Sequence, residues 1–260
     1  MVLSGHQNLF MSALEPASFL PPPNWGEDKL TEFMQIAATA SWAASVQKDT
    51  RPWFDMLKII DATYLAAMEA LIGPTPNFFE GLMLVSAHAS FRSAAQFALE
   101  GRTCEAMVLL RNCLEHAMYG VHFHRKPELI EVWSHRGDSD LHRKAVKNSF
   151  KSKEMIDGIA SLSNTVGSRF SHFYELTIDM GAHPNEVGFF GRLDITDVPE
   201  TNSKKFSIKY LVGGDISHLA TLKNACQIGV CVLECFGLIY RQRFDILQIT
   251  ARIDALKPGL

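Results

Sequence analysis

Arg111 and Glu115 stand four residues apart in the most apolar helical stretch of the chain, Ala106 to His116. That spacing puts both side chains on one helix face. A guanidinium and a carboxylate in such surroundings need partners, because unpaired buried charge is too costly. The pair is either an internal tie that fixes helix register or part of a polar site that reaches another helix. Arg ahead of Glu is the less favourable order within one helix. Partners on other helices are therefore expected, with Glu234 and Arg92 as third members and His122 nearly on the same line. His183 directly follows a helix end, where the negative end of the dipole favours a protonated imidazole. It suits a general acid, an anion contact or a cap for the last carbonyls. Tyr174 and Thr177, upstream on that helix, are expected to point into the same space.

A basic run extends from Arg125 to Lys153 in a chain whose net charge is −3. Its residues Arg143, Lys147 and Lys151 are read as one helix face able to track a phosphate backbone, or as a solvated face. The overall charge gives no global pull toward nucleic acid or membrane.

Several chemistries are absent. The sequence holds no G-x-x-x-x-G-K-[ST] loop, no G-x-G-x-x-G, no G-x-S-x-G elbow and no H-E-x-x-H. No Glu has a His three residues later, so a di-iron centre is not expected either. His122 and His124 point to different faces of a helix. No metal and no cofactor is therefore expected. Five cysteines without a C-x-x-C pair read as small buried hydrophobes in a reducing compartment, and the chain is assigned to the cytoplasm. The start of the chain lacks the basic residues and unbroken apolar centre of a signal peptide. The apolar run Ala225 to Tyr240 is read as a core helix rather than a membrane span.

The elements that must position these residues are mostly helical. Apolar positions recur at three and four residues from Glu27, from Arg51 to Gly73, from Phe78 to Glu100 and from Thr103 to about Pro127. A short segment at Glu128–Trp133, a Lys-rich helix to about Asp157 and a clean amphipathic helix from Leu162 to Met180 follow. Thr103 and either Asp215 or Ser217 are read as helix caps, and the last helix is expected to run unbroken to about Gln248. Val187–Leu193 and Lys205–Val212 carry the only β signal, joined by the polar stretch Asp194–Ser203. The reading is mainly α: a bundle of about seven helices with a β-hairpin insertion near residues 187–212. Residues 1–26 are taken as an extended arm, 27–250 as one helical domain and 251–260 as a tail.

Arg111-Asn112-Cys113-Leu114-Glu115-His116 resembles the Arg-x(4–6)-His motif, with a polar residue after the arginine, of the HEPN superfamily of small helical proteins. Leu109-Leu110-Arg111 with Glu115, followed by Tyr174-x-x-Thr177 and His183-Pro184, is similar to a family of uncharacterised bacterial helical proteins associated with that group. This second likeness runs in order over roughly residues 78 to 245. The resemblance implies a helical bundle that forms a homodimer and, in active members, cleaves RNA without metal in toxin or defence settings. It would give Arg111 the charge on the scissile phosphate, His116 the proton transfers during attack by the 2′-hydroxyl, and Asn112 an orienting role. In an unbroken helix, however, Arg111 and His116 are about 140° apart. The mechanism then needs a helix break, a second subunit or a different histidine. His183 is the substitute, with Tyr174 as a phosphate contact. The alternative is a non-catalytic helical interaction or ligand-binding module in which Arg111–Glu115 is structural.

Overall fold

The computed structural model describes residues 21–69, 78–182, 186, 190 and 192–260, with Ala182 and Glu200 described in their backbone alone. His183, Pro184, Val187 and the end of the helix read from Arg51 to Gly73 lie outside these residues. The chain divides into two units, Met1–Thr39 and Ala40–Leu260. In the first, Asp28 starts helix α1 (Lys29–Val46) by accepting the Leu30 and Thr31 backbone N–H groups at 2.9 and 3.0 Å.

The second unit is built on an antiparallel helical hairpin, α3 (Phe78–Leu99) and α4 (Thr103–Arg125). Its turn is fixed by Gly101, whose φ of 78° suits glycine and whose missing Cβ lets the Val212 carbonyl come close. Thr103 is the first helical residue and makes no side-chain cap; Arg102 stands at the cap position. Ala87, Ala94 and Ala98 on α3, and Cys113 and Ala117 on α4, are fully buried, which brings the two helices close. Against the hairpin pack α2 (Arg51–Glu69) and the long α9 (Ile216–Ile239). Asp215 caps α9 by accepting the His218 N–H at 2.9 Å. Among the described residues α9 alone is long and apolar enough to cross a membrane, and most of it is buried inside the protein. Cys226, Cys231 and Cys235 lie in its core as expected.

Four short helices bring the basic run and the Tyr174 region onto α4. They are α5 (Leu129–Ser134), α6 (Asp140–Ser149), α7 (Ser152–Leu162) and α8 (Asn164–Thr177), the last followed by a π turn at Ile178–Ala182. The amphipathic helix read from Leu162 begins instead at Asn164, because Ser163 is extended and its hydroxyl accepts the Val166 N–H. Leu162 belongs to α7 and is exposed.

The hairpin lies within the expected residues 187–212, but its strands are shifted from the two segments read as β. Its strands are β1 (Leu193–Val198) and β2 (Ser203–Ile208), paired antiparallel from Leu193↔Ile208 to Val198↔Ser203. The stretch read as a polar link is thus mostly strand. Pro199 and the left-handed Asn202 (φ 49°) form the turn and set the register. Both strands are largely exposed, so the apolar richness used to locate them was a poor guide.

The final helix also stops early. Tyr240 and Phe244 are buried, and the chain turns there into α10 (Arg241–Ile246), then again at Gln248 (φ 59°) into α11 (Ile249–Leu256). Residues 251–260 are therefore not a tail: Ile253 and Leu256 join the core. The eleven α-helices of the described residues exceed the seven or so expected, because buried aromatics and caps break stretches that periodicity alone joins.

A close crossing lies between α7 and α8, where a Cβ on Gly167 would sit 2.4 Å from the Ala160 Cα. Helix propensity favours alanine over glycine by about 1 kcal/mol, but overpacking costs about 1–3 kcal/mol and a backbone neighbour yields least. Gly167→Ala is expected to destabilise by about 1–2 kcal/mol in urea titrations. Gly137→Ala, in open space, should change stability by less than about 0.5 kcal/mol.

Candidate functional site

Three helices meet at Arg111. From α4 its Nε donates to Glu115 Oε1 at 3.0 Å, and its Nη2 donates to the Tyr174 hydroxyl of α8 at 2.7 Å. The guanidinium also lies over the Tyr174 ring, 4.3 Å from its centroid, a cation–π geometry. Tyr174 in turn donates to Ser152 Oγ at 3.1 Å, at the first residue of α7. The result is a chain of hydrogen bonds from Glu115 through Arg111 and Tyr174 to Ser152.

One end of this chain meets water. The Arg111 side chain is 16% exposed and that of Glu115 40%. Arg111 Nη1 is buried and has no hydrogen-bond acceptor among the described residues. One turn beyond Glu115, burial and then the Glu115 charge push the Tyr119 hydroxyl above its ordinary pKa. The cluster can thus present a fixed positive charge, a carboxylate and two hydroxyls at the junction of α4, α7 and α8.

Of the expected residues, Arg111, Glu115 and Tyr174 come together. Thr177 lies on α8 below Tyr174, buried, with its hydroxyl donating to the Tyr174 carbonyl at 2.7 Å. Asn112 is exposed on α4. His116 is not brought to Arg111 along α4, because the helix is continuous from Thr103 to Arg125 and the break that would bring the two together does not occur. His183, the substitute, lies outside the described residues. His122 bonds the Ser149 carbonyl through Nε2 at 3.1 Å rather than joining the line of Arg111.

The proposed third members belong elsewhere. Arg92 makes a two-point bond to Asp61, at 2.6 and 2.9 Å, and His88 meets the same carboxylate at 2.6 Å. Glu234 holds Arg169 at 2.6 Å and Lys257 at 2.9 Å, anchoring α8 and the C-terminal turn to α9. Both ties join residues far apart in sequence, and no spacing rule reveals them. Ser152 was missed for another reason: a hydroxyl at a helix start reads as a cap.

The basic face is also divided. Phe150 is buried against Tyr119, His122 and Phe123, which ends α6 and turns the chain before Lys151. Lys151 therefore does not continue the face of Arg143 and Lys147. Arg143 pairs with Asp140, and Lys151 pairs with Glu154 at 3.1 Å. Among the described residues no group of three His, Cys, Asp or Glu side chains is arranged to hold a metal ion. Burial pushes the Cys113 thiol up to about 12, so it is no nucleophile at neutral pH.

Breaking a fully buried ion pair costs about 3–5 kcal/mol, and the water at Glu115 reduces this to about 2–3 kcal/mol. Arg111→Ala should lose that much stability in chemical denaturation. Arg111→Lys should recover only part of it, since one ammonium replaces neither the fork nor the ring contact. Burial, the largest influence on each, lowers the pKa of His116, His122 and His218. Such groups stabilise the fold fully above the unfolded value of about 6.5, and this contribution fades as pH falls toward their folded values. Asp61 adds a second loss: burial alone would raise its carboxyl, but hydrogen bonds from Arg92 and then His88 hold it well below the carboxylate range. Its contribution is present above about pH 4 and disappears in stronger acid. Melting temperature should therefore decline in two stages as pH falls from 7, and Asp61→Asn should weaken the second.

The chain matches no protein-family model, no curated protein and no solved structure.

Proposed function

We propose that the chain is a HEPN-like helical protein that acts on RNA without a metal ion, with the Arg111 cluster as the contact for a backbone phosphate. One observation carries this reading: among the described residues Arg111 Nη1 lacks an acceptor, while Nη2 of the same guanidinium bonds the Tyr174 hydroxyl, which is itself bonded to Ser152 Oγ. A buried donor without a partner calls for one, and a phosphate oxygen is a strong acceptor for a guanidinium. Glu115 gives the cluster its edge on water. In this reading Arg111 neutralises charge on the phosphate, and Tyr174 donates to a second oxygen by turning its one proton away from Ser152 Oγ. His183 is the histidine proposed to move protons, and His116 has no part in it. The exposed Lys147 and the paired Arg143 and Lys151 offer long-range attraction rather than a continuous track.

A second reading follows from the same geometry. Arg111 already spends Nε, Nη2 and the face of its guanidinium inside the protein, as a structural tie would. The chain is then a non-catalytic helical interaction module.

The decisive test uses fluorescently labelled single-stranded RNA in EDTA, with binding followed by anisotropy and cleavage by gel. The parent protein should bind and cut. Tyr174→Phe, which keeps the ring under Arg111, should weaken binding by about ten- to hundredfold, the scale of one lost hydrogen bond to a charged group. Arg111→Lys should abolish cleavage while circular dichroism shows a folded chain. A parent that neither binds nor cuts RNA, or an Arg111→Lys variant equal to it, leaves the tie as the role of the cluster.

A further inference from the structure

The β1–β2 ribbon leads back to the bundle through a short strap, residues 209–215, which backbone groups fasten in place. Val212, itself buried, donates its N–H to the Gly101 carbonyl at 2.9 Å, at the turn between α3 and α4. Two residues on, the Gly214 N–H donates to Nδ1 of His218 at 3.0 Å. His218 stands in the first turn of α9, 3% exposed, and its Nε2 meets the Ala98 carbonyl of α3 at 2.9 Å. These partners fix where the ring carries its proton. A carbonyl only accepts, so Nε2 is protonated; a backbone N–H only donates, so Nδ1 is bare. Both nitrogens of the neutral imidazole are thus satisfied. A second proton on Nδ1 would face the Gly214 N–H, donor against donor, and leave both without an acceptor.

We infer that His218 is a pH-operated latch: gaining a proton releases Gly214 and loosens the strap at Gly213–Gly214 while the helical bundle stays folded. The two glycines supply the give. A Cβ on either would meet nothing within 4 Å, and Gly214 has a φ of 73°, so the backbone has room to turn here. Of the charged groups on the elements around the ring, Asp215 acts on it directly from the cap of α9. Glu100 and Arg102, on the α3–α4 turn, pair with each other at 3.5 Å, and Lys209 of the strap pairs with Asp194 at 3.7 Å. Burial, the largest influence, lowers the pKa of His218 against the Ala98 carbonyl and then the Asp215 charge. A latched ring therefore resists its proton, whereas a ring opened to water takes it at about 6.5. Opening grows about tenfold for each pH unit below that value, until the latched ring itself titrates. The latch is independent of what the Arg111 cluster binds.

Nuclear magnetic resonance on the full chain tests the latch. Near neutral pH the nitrogen shifts of the ring should place its proton on Nε2, and the ring should titrate below about 6.5. Protection of the Gly214 amide from hydrogen exchange, corrected for the intrinsic rate, should fall about tenfold per pH unit between about 6.5 and the midpoint of the ring. It should stay well below the protection of Leu114 in the core of α4, the mark of local opening rather than global unfolding. His218→Gln, which has no proton to gain, should flatten the pH response of Gly214. A ring protonated on Nδ1 in the parent overturns the inference. So does Gly214 protection that ignores pH or equals that of Leu114, or a folded His218→Gln variant with the parent's pH response.

Discussion

A guanidinium that has left water must find acceptors, and around Arg111 the fold supplies them from separate pieces of chain. Glu115 comes from the same helix, Tyr174 from α8 and Ser152, through Tyr174, from the start of α7. The tie depends on the close crossing of α7 and α8, where Gly167 rests on the Ala160 backbone. Widening that crossing would pull Tyr174 or Ser152 out of hydrogen-bond reach of its partner, since such bonds weaken steeply beyond about 3.2 Å.

The remaining buried charges follow the same rule with different partners. Asp61 is shared by His88 and Arg92, and Glu234 by Arg169 and Lys257. Each tie joins elements that the apolar core also joins: α2 to α3, and α9 to α8 and the C-terminal turn. Apolar packing fixes how close these elements lie but constrains their sliding only loosely. A carboxylate bonded at two points on a neighbouring helix constrains the slide as well, because a shift of one turn leaves charge stranded. The polar ties therefore act chiefly on register, while burial of the apolar faces supplies the cohesion.

Much of the architecture was legible in the sequence. The extents of α3 and α4, a cap for α9 at Asp215 or Ser217, and the burial of α9 all follow from local pattern. Within the site, the i,i+4 pair Arg111–Glu115 was visible from spacing, whereas Tyr174 was singled out beside His183 and as a phosphate contact rather than as the partner of Arg111. What failed has physical causes. The 3.6-residue period continues through Ser163 and Tyr240, where tertiary burial and capping end the helices. The hairpin carries no buried face, so apolar alternation could not locate it, whereas Pro199 and Asn202 marked its turn. Arg111 and His116 are neighbours in sequence, but an intact helix gives them different directions.

Among the described residues the β1–β2 hairpin leaves two open edges, each a row of backbone donors and acceptors that another strand could extend. Side-chain charge works against that. Asp194 and Asp197 on one strand face Lys209 and Lys204 near their cross-strand partners, at 3.7 and 4.0 Å, with Lys205 beside them. A foreign copy of either strand, added in parallel register, would set aspartate beside aspartate or lysine beside lysine. The ribbon thus carries its own deterrent against fibrous stacking, although it has almost no hydrophobic cover.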